Sequence, residues 1–192
     1  MFMKSSIETC ADARRVFDFA LKNTDLKKPK LVKELCNIVL KNDRFWTAPA
    51  SVNKHHSFEG GLAVHTAQVL ATALAAAECY LVDFKFEEVL VASIWHDYMK
   101  IQDYKYDGLE YTQENGKFVK TRHYNLLNHL AASAMEFRRF GYDLAVEAKL
   151  DPMLIEHIIL SHHGRKEWGS PVEPKTPEAW VVHSADMLSS QF

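Results

Sequence analysis

The chain of 192 residues has little cysteine, and its few thiols are not arranged for cross-linking or for metal binding. Cys10, Cys36 and Cys79 are odd in number, far apart and in no C-x-x-C spacing. This pattern argues against a disulfide scaffold and against the common thiolate zinc motifs. The three thiols are therefore predicted to be small buried side chains of a protein in a reducing compartment.

An excess of positive charge is also missing. Lys and Arg number 23 against 25 Asp and Glu, which gives a net charge of −2 and a pI near 6.5. Tight binding to duplex nucleic acid depends on many Lys and Arg contacts to phosphate. We therefore expect no duplex nucleic acid among the partners, although a locally positive site is compatible with this balance. A homo-oligomer is equally compatible with it.

Long hydrophobic runs are absent. The most apolar stretch, VLATALAAAECYLV, is 14 residues long and contains Glu78, so it is too short and too polar to span a bilayer. The start, MFMKSSIETCADARR, lacks the apolar segment of a signal peptide. We expect a cytoplasmic protein that makes no membrane contact.

Helical periodicity dominates what is present, and it predicts an all-α fold in one domain, 1–192. Ser5-Ser6-Ile7-Glu8 has the S-x-x-E form of a capping box and predicts a helix to about Lys22. FEEVLVASIWHDYMK, ending at Lys100, is predicted to be a single helix. Helices over 1–44 are expected to pack on a core, 45–192, that carries the motifs.

One segment departs from the helical pattern. Residues from about 103 to 123 are rich in Tyr, Thr, Val and Phe, and contain Asp107-Gly108 and Asn115-Gly116. Such dipeptides are typical of tight hairpin turns. A small β-hairpin insertion is therefore predicted here. The helices predicted after it cover about 125–140, 152–163 and, from Thr176, the segment to about Ser190.

Several of the ten histidines lie at apolar positions of these predicted helices, and two aspartates accompany them. A single such histidine is more often a core residue with a satisfied hydrogen bond than a metal ligand. Inward-facing titratable groups from five helices are different, because burying each without a partner costs several kcal/mol. A divalent metal would stabilise them together. The residues are His65, His96, Asp97, His129, His162, His163 and Asp186.

The order and flanks of these residues resemble a known family. His65, His96-Asp97 and Asp186 reproduce the H…HD…D signature of the HD-domain metal-dependent phosphohydrolases. FWTAPASVNKHHSFEGGLAVHT (45–66) and LSHHGRKEWGSPVEPKTPEA (160–179) are most similar to the HD domain of YhaM-type 3′–5′ exoribonucleases. The resemblance implies a single HD-domain helical bundle.

The resemblance also implies a ligand set for each of two metals. His65, His96, Asp97 and Asp186 would bind the first. Asp97 would bridge to a second, held also by His129 and His162, with His163 replacing or supplementing His162. Since all these donors are nitrogen or oxygen, one or two divalent transition metals (Mn, Fe, Ni, Co or Zn) are expected, and Mg²⁺ less so.

Lys100, one turn after His96, is expected to act with Asp97 in catalysis by neutralising a phosphate oxygen. The alternative for Lys100 is a solvated position at a helix end. His56, His123 and Arg165 are candidate substrate-binding residues, each with an alternative role in its loop or hairpin.

The predicted function is hydrolysis of a phosphoester by a metal-activated hydroxide. The YhaM-type enzymes that this chain resembles join an OB-fold to the HD domain, whereas the residues before the motifs here are expected to form only two helices. The expected partner is therefore a small phosphorylated substrate, a nucleotide or short oligonucleotide. Two alternatives stay open: a catalytic subunit of a 3′–5′ exonuclease with a separate nucleic-acid-binding partner, and a non-catalytic metal- or nucleotide-binding regulatory module.

Overall fold

The computed structural model describes residues 6–79, 83–106 and 118–191, and these residues are mostly helical. The predicted all-α fold with a small hairpin is confirmed. The helices are α1 (Cys10–Asn23), α2 (Pro29–Leu40), α3 (Gly61–Glu78), α4 (Phe86–Trp95), α5 (Lys100–Asp103), α6 (Arg122–Leu126), α7 (His129–Phe140), α8 (Tyr142–Glu147), α9 (Pro152–Ser161) and α10 (Pro177–Ser189). Short 3₁₀ turns cover Asp43–Trp46 and Lys166–Trp168.

The core is built around α3 and α4. Helix α3 packs against α1, α4 and α10, and α4 packs against α2 and α9. Every residue from Glu87 to Trp95 is buried, as expected for a helix with neighbours on all sides. Trp95 contacts the rings of Tyr98 and Phe137 edge-on, at centroid distances of 5.4 and 5.5 Å. The apolar residues of α4 therefore fix the position of the polar residues that follow it.

The hairpin joins α5 to α6. Strands β1 (Tyr104–Tyr106) and β2 (Phe118–Lys120) pair antiparallel, with Tyr104 opposite Lys120 and Tyr106 opposite Phe118. The two predicted turn dipeptides, Asp107-Gly108 and Asn115-Gly116, lie outside the described residues.

Helix boundaries differ from the predictions at three places. Helix α1 begins after Thr9, whose hydroxyl and backbone form a capping box with Asp12, so the S-x-x-E signal at Glu8 does not set its start. The predicted single helix over 86–100 is interrupted after Trp95. There the amides of Tyr98, Lys100 and Ile101 bond carbonyls three residues back instead of four, which tightens the turn that carries His96 and Asp97.

A second predicted helix, 125–140, is divided at Asn128. This residue has φ of +61° and ψ of 153°, a combination that is nearly confined to glycine. The break places His129 at the first position of α7. Among the described residues, no helix is both long and apolar enough to cross a membrane.

Candidate metal centre

Seven His and Asp side chains from five parts of the fold converge on one point. His65 comes from the second turn of α3, Asp186 from α10, and His129 from the start of α7. His96 and Asp97 follow α4, while His162 and His163 follow α9. All are buried except His163, which is partly exposed.

The donors form two sets that share Asp97. The first contains His65, His96, Asp97 and Asp186, and the second contains Asp97, His129, His162 and His163. Within each set, one donor atom per residue lies within 4.8 Å of all the others. The structure thus brings together every ligand predicted from the sequence, and it places both His162 and His163 in the second set.

Asp97 faces each set with a different oxygen. Its Oδ2 lies 3.3 Å from His65 Nε2 and 3.4 Å from His96 Nε2. Its Oδ1 lies 3.3 Å from His129 Nε2 and 3.4 Å from His162 Nε2. Each set of donors would therefore offer a cation its own Asp97 oxygen.

Hydrogen bonds on the far side of the rings fix the tautomer of four of the histidines. The Nδ1–H groups of His96, His162 and His163 donate to the carbonyls of Ser93, Ile159 and Trp168, at 2.7, 2.7 and 3.0 Å. His129 Nδ1 donates to the carboxylate of Asp103 at 3.0 Å. These partners can only accept, so each neutral ring presents an Nε2 lone pair to the centre.

His65 has the same orientation through a longer chain of hydrogen bonds. Ser189 Oγ donates its proton to Gln68 Oε1 at 2.7 Å, so it accepts from His65 Nδ1 at 2.9 Å. The amide of Gln68 donates in turn to the Ile7 carbonyl. All five imidazoles therefore aim a lone pair at carboxylate oxygens or at one another.

Lone pairs in direct opposition are unfavourable unless a cation lies between them. Within the described parts of the chain, Asp97 Oδ1 and His162 Nε2 are buried atoms without a hydrogen-bond partner, although buried polar atoms are nearly always satisfied. His129 Nε2 and His163 Nε2 also face each other at 3.4 Å. The residues present thus fit the binding of divalent metal by imidazole nitrogen and carboxylate oxygen.

The pKa shifts follow from burial and from the local charges. Burial lowers the pKa values of His96 and His129. Burial and the nearby rings of His162 and His129 lower the pKa of His163 to about 3. Burial acts in the same direction on His65, but hydrogen bonds and charges from Asp186 and Asp97 outweigh it, so the pKa of His65 is raised. A proton on His65 is then the natural competitor of a metal ion.

The two aspartates stay ionised. Burial alone would raise the pKa of Asp97, but Lys100, His96 and His129 lower it well below its usual range. For Asp186 burial is also outweighed, chiefly by the hydrogen bond and charge of His65, so its pKa is lowered. Both sets therefore keep their negative charge at neutral pH.

Lys100 lies against the bridging carboxylate. Its Nζ is 2.6 Å from Asp97 Oδ2, and its side chain is only 8% exposed. The solvated alternative for Lys100 is therefore excluded by this position. The contact holds although α4 and α5 are not one continuous helix, because the tight turn after Trp95 keeps residues three apart on the same side.

The three other substrate-binding candidates lie around this centre. The His56 ring lies tilted beside that of His65, with centroids 5.5 Å apart. Gly61 permits this approach, because a Cβ there would lie 2.0 Å from the His56 carbonyl oxygen. His123 Nδ1 is 2.7 Å from Asp103 Oδ1. Arg165 is exposed and lies over the ring of Trp168.

Asp103, the carboxylate that holds His129 of the second set in place, was not predicted from the sequence. It is fully buried and accepts from the backbone amide of His129 at 3.1 Å, from His129 Nδ1 and from His123 Nδ1. It was not recognised as a site residue because it lies where the hairpin was expected to begin. Ser189 was also missed, although its position three residues after Asp186 places both on one helix face.

Comparison with known proteins identifies the family. The family model described as HD domain matches residues 62–191. This chain belongs to the HD domain family. The 3′-5′ exoribonuclease YhaM of Bacillus subtilis is 30% identical over 170 residues, which cover 88% of this chain and 51% of that protein. The enzyme of the same name from Listeria monocytogenes is 27% identical over 188 residues, 96% of this chain and 55% of the relative. No solved structure matches significantly.

These comparisons confirm the expected family and, with it, the expected enzyme class, a metal-dependent phosphohydrolase. The chain spans about half the length of the curated relatives it matches. The activity and substrates of those whole proteins therefore extend to this HD domain chain only as proposals.

The expectation about partners is wrong. A small phosphorylated substrate and no duplex nucleic acid were expected, whereas the relatives carry the name of exoribonucleases, which act on RNA. The net charge was a poor predictor of the partner because it averages over the whole chain. A site that holds divalent cations beside Lys100 can attract a polyanion even when the protein as a whole is slightly negative.

Proposed function

We propose that this HD domain chain is a metal-dependent phosphodiesterase that removes nucleotides from the 3′ end of RNA. The observation that carries the proposal is the bridging position of Asp97 between two sets of imidazole lone pairs. The relatives are named 3′-5′ exoribonucleases, and this name supports the substrate class and the direction.

The donor set supports a transition metal in each half of the site. The first set offers two imidazoles and two carboxylates, and the second offers three imidazoles and the shared carboxylate. No cysteine thiolate belongs to either set. Such donors favour Mn, Fe, Co, Ni or Zn over Mg, which prefers oxygen ligands. Bound there, two divalent ions supply a nucleophile at neutral pH and stabilise charge on the phosphoryl oxygens.

The protein's own residues then position the phosphodiester. Asp97 holds the two halves of the site in register. Lys100, buried beside Asp97 Oδ2, provides a cation within reach of a non-bridging phosphate oxygen, where charge accumulates in the transition state. With Asp97 engaged in holding metal, the Lys100 ammonium group would be left to pair with the substrate.

Residues on the rim extend the contact to the substrate. His123 is held through Nδ1 by Asp103, so its Nε2 is available to a phosphate or a sugar hydroxyl. His56 contributes a neutral ring, since burial and the charge of His65 lower its pKa to about 4. Arg165 offers a planar cation suited to phosphate.

The direct test uses RNA labelled at either end. The purified protein, loaded separately with Mn²⁺, Co²⁺, Ni²⁺, Zn²⁺ or Mg²⁺, is incubated with a 5′-labelled strand. The proposal expects a ladder that shortens from the 3′ end, and blocking of that end by a 3′-phosphate or other cap should slow it. Hydrolysis confined to internal positions, or an RNA left intact with every metal, would overturn it.

A further inference from the structure

An exposed aromatic surface lies directly beside the second ligand set. It consists of Trp168, Trp180, His183 and Arg165. Trp168 and Trp180 are 48% and 53% exposed, whereas the other two tryptophans of the chain, Trp46 and Trp95, are partly and fully buried. Single exposed apolar residues need no explanation, but two neighbouring exposed tryptophans are unusual.

The rings of this surface are close to one another. The centroid of His183 lies 6.4 Å from that of Trp168 and 5.7 Å from that of Trp180. The Arg165 guanidinium carbon is 5.1 Å from the Trp168 ring centroid, within the range of a cation–π contact. The result is a continuous patch of π-faces with a cation at one side.

Hydrogen bonds tie the aromatic surface to the metal ligands. His163 Nδ1 donates to the carbonyl of Trp168 at 3.0 Å, and His183 Nδ1 donates to the carbonyl of His162 at 2.7 Å. Gly164, at φ of +85°, permits this approach because a Cβ there would lie 2.3 Å from the His183 ring. The surface is therefore held at a fixed position next to the second set.

Its charge also suits a nucleic acid strand. Arg165 and Lys166 are exposed in the same turn as Trp168, with Glu167 as the one opposing charge of that turn. Aromatic side chains that alternate with cations are the usual means of binding unpaired nucleotides, since every base has a π-face and every linkage a negative charge.

We propose that the aromatic surface is a stacking site for an unpaired nucleobase of the RNA strand, with Trp168 as its principal contact. This inference rests on the proposed function and deepens it. The base next to the scissile linkage would stack on Trp168, and Arg165 would pair with a neighbouring phosphate. The surface would thereby hold the 3′ end in the metal centre without reading its sequence.

The test is a binding cycle between protein variants and RNA variants. The full chain, with metal bound, is titrated with a fluorescent RNA of roughly 8 nucleotides, with phosphorothioate linkages to slow hydrolysis. A matched series lacks one base at a time near the 3′ end. Trp168→Ala is expected to weaken binding of the complete RNA about tenfold, and Trp168→Phe much less, because a smaller ring still stacks.

The control is Phe140→Ala. Phe140 is as exposed as Trp168, at 48%, and lies at the opposite end of α7 from His129, roughly 16 Å away along the helix. Its replacement is expected to change affinity less than about twofold. Removing the base that stacks should weaken binding to the native protein but have little further effect on Trp168→Ala, since both changes delete one contact.

Hydrolysis of bis(p-nitrophenyl) phosphate, which has no base, separates this inference from the proposed function. The rate loss of Trp168→Ala, relative to the native protein, should be much smaller on this substrate than on the RNA, while Phe140→Ala should hydrolyse it at the native rate. If the native protein does not cleave any phosphodiester, the proposed function fails. If cleavage occurs but Trp168→Ala and Phe140→Ala bind RNA equally well, or no single base matters to the native protein, the stacking site is refuted. If Trp168→Ala does not fold, Trp180→Ala and the base-deleted RNAs still test whether the aromatic surface binds a base.

Discussion

The two ligand sets that share Asp97 are held by the fold in different ways. The first takes His65 and Asp186 from within the long helices α3 and α10, and it contains two carboxylates. The second takes His129, His162 and His163 from helix ends and has Asp97 as its one carboxylate. The first set therefore carries more negative charge in a more rigid frame, and it should bind metal more tightly. The second set borders the hairpin and the aromatic surface, where substrate would approach.

The largest expected effect is that of Asp97→Ala, because this change removes a ligand from both sets. Metal content should fall from about two ions per chain to near zero, and hydrolysis by more than about 100-fold. Elemental analysis of the purified protein and a phosphodiesterase assay measure the two quantities. Asp18→Ala, an exposed carboxylate on α1, is the control, and equal metal content in the two variants would contradict the bridging role.

Removing one ligand from each set should separate the two sites. Asp186→Ala deletes a charge from the first set and His129→Ala a neutral ring from the second, so each variant should keep about one ion. The loss of affinity should be greater in Asp186→Ala, because a carboxylate contributes charge as well as a donor. Titration of the metal-free variants with Mn²⁺ or Co²⁺ gives the stoichiometry. Loss of both ions in both variants would show that the sets do not bind independently.

A smaller effect, confined to the second ligand set, is expected from Asp103→Asn. The amide cannot accept from His129 Nδ1, the His129 amide and His123 Nδ1 as the carboxylate does, so His129 would lose its fixed orientation. Affinity of the second set should fall about 10- to 100-fold, with the first set unchanged. Asp143→Asn, on the exposed side of α8, serves as the control. Equal affinity of the second set in both variants would exclude the positioning role.

The smallest effect is on the pH dependence of stability in the metal-free protein. Burial, aided by neighbouring charges, lowers the pKa of His163 to about 3 and those of His55 and His56 to about 4. In the unfolded chain the pKa of such a ring is about 6.5. Between about pH 7 and pH 5 the unfolded state therefore binds protons that the folded rings do not bind. The free energy of unfolding falls as a result.

Thermal unfolding in the presence of a chelator measures this dependence. The Tm should be lower at about pH 5 than at about pH 7, and His163→Gln should flatten the change. The raised pKa of His65 acts in the opposite direction, which keeps the net effect small. A Tm that rises on acidification would show that His65 outweighs the other rings.

Much of the ligand set could be predicted from the sequence, because each ligand stands out as a polar residue at an apolar position. His96-Asp97 follows a run of buried residues, and His65 follows Gly-Gly-Leu-Ala-Val. Which of His162 and His163 takes part could not be decided by spacing, since adjacent residues after a helix end can both turn inward. The structure places both in the second set because α9 ends at Ser161.

The residues that orient the histidine ligands could not be predicted from sequence patterns. Asp103 contacts His129 across 26 positions, and Ser189 contacts His65 across 124. Such pairs depend on how α5 meets α7 and how α10 meets α3, which periodicity within one helix does not encode. The break after Trp95 was missed for a related reason: the apolar pattern continues through Tyr98 and Ile101 although the hydrogen bonds change register.

Asp97 is proposed to bridge two metal ions, one in each ligand set. The most direct measurement is anomalous diffraction from crystals grown with Mn²⁺ or Co²⁺, collected on the native protein. Two peaks per chain are expected, one bounded by His65, His96 and Asp186 and the other by His129, His162 and His163, with one Asp97 oxygen toward each. A single peak, or two peaks with Asp97 turned away from either, would contradict it.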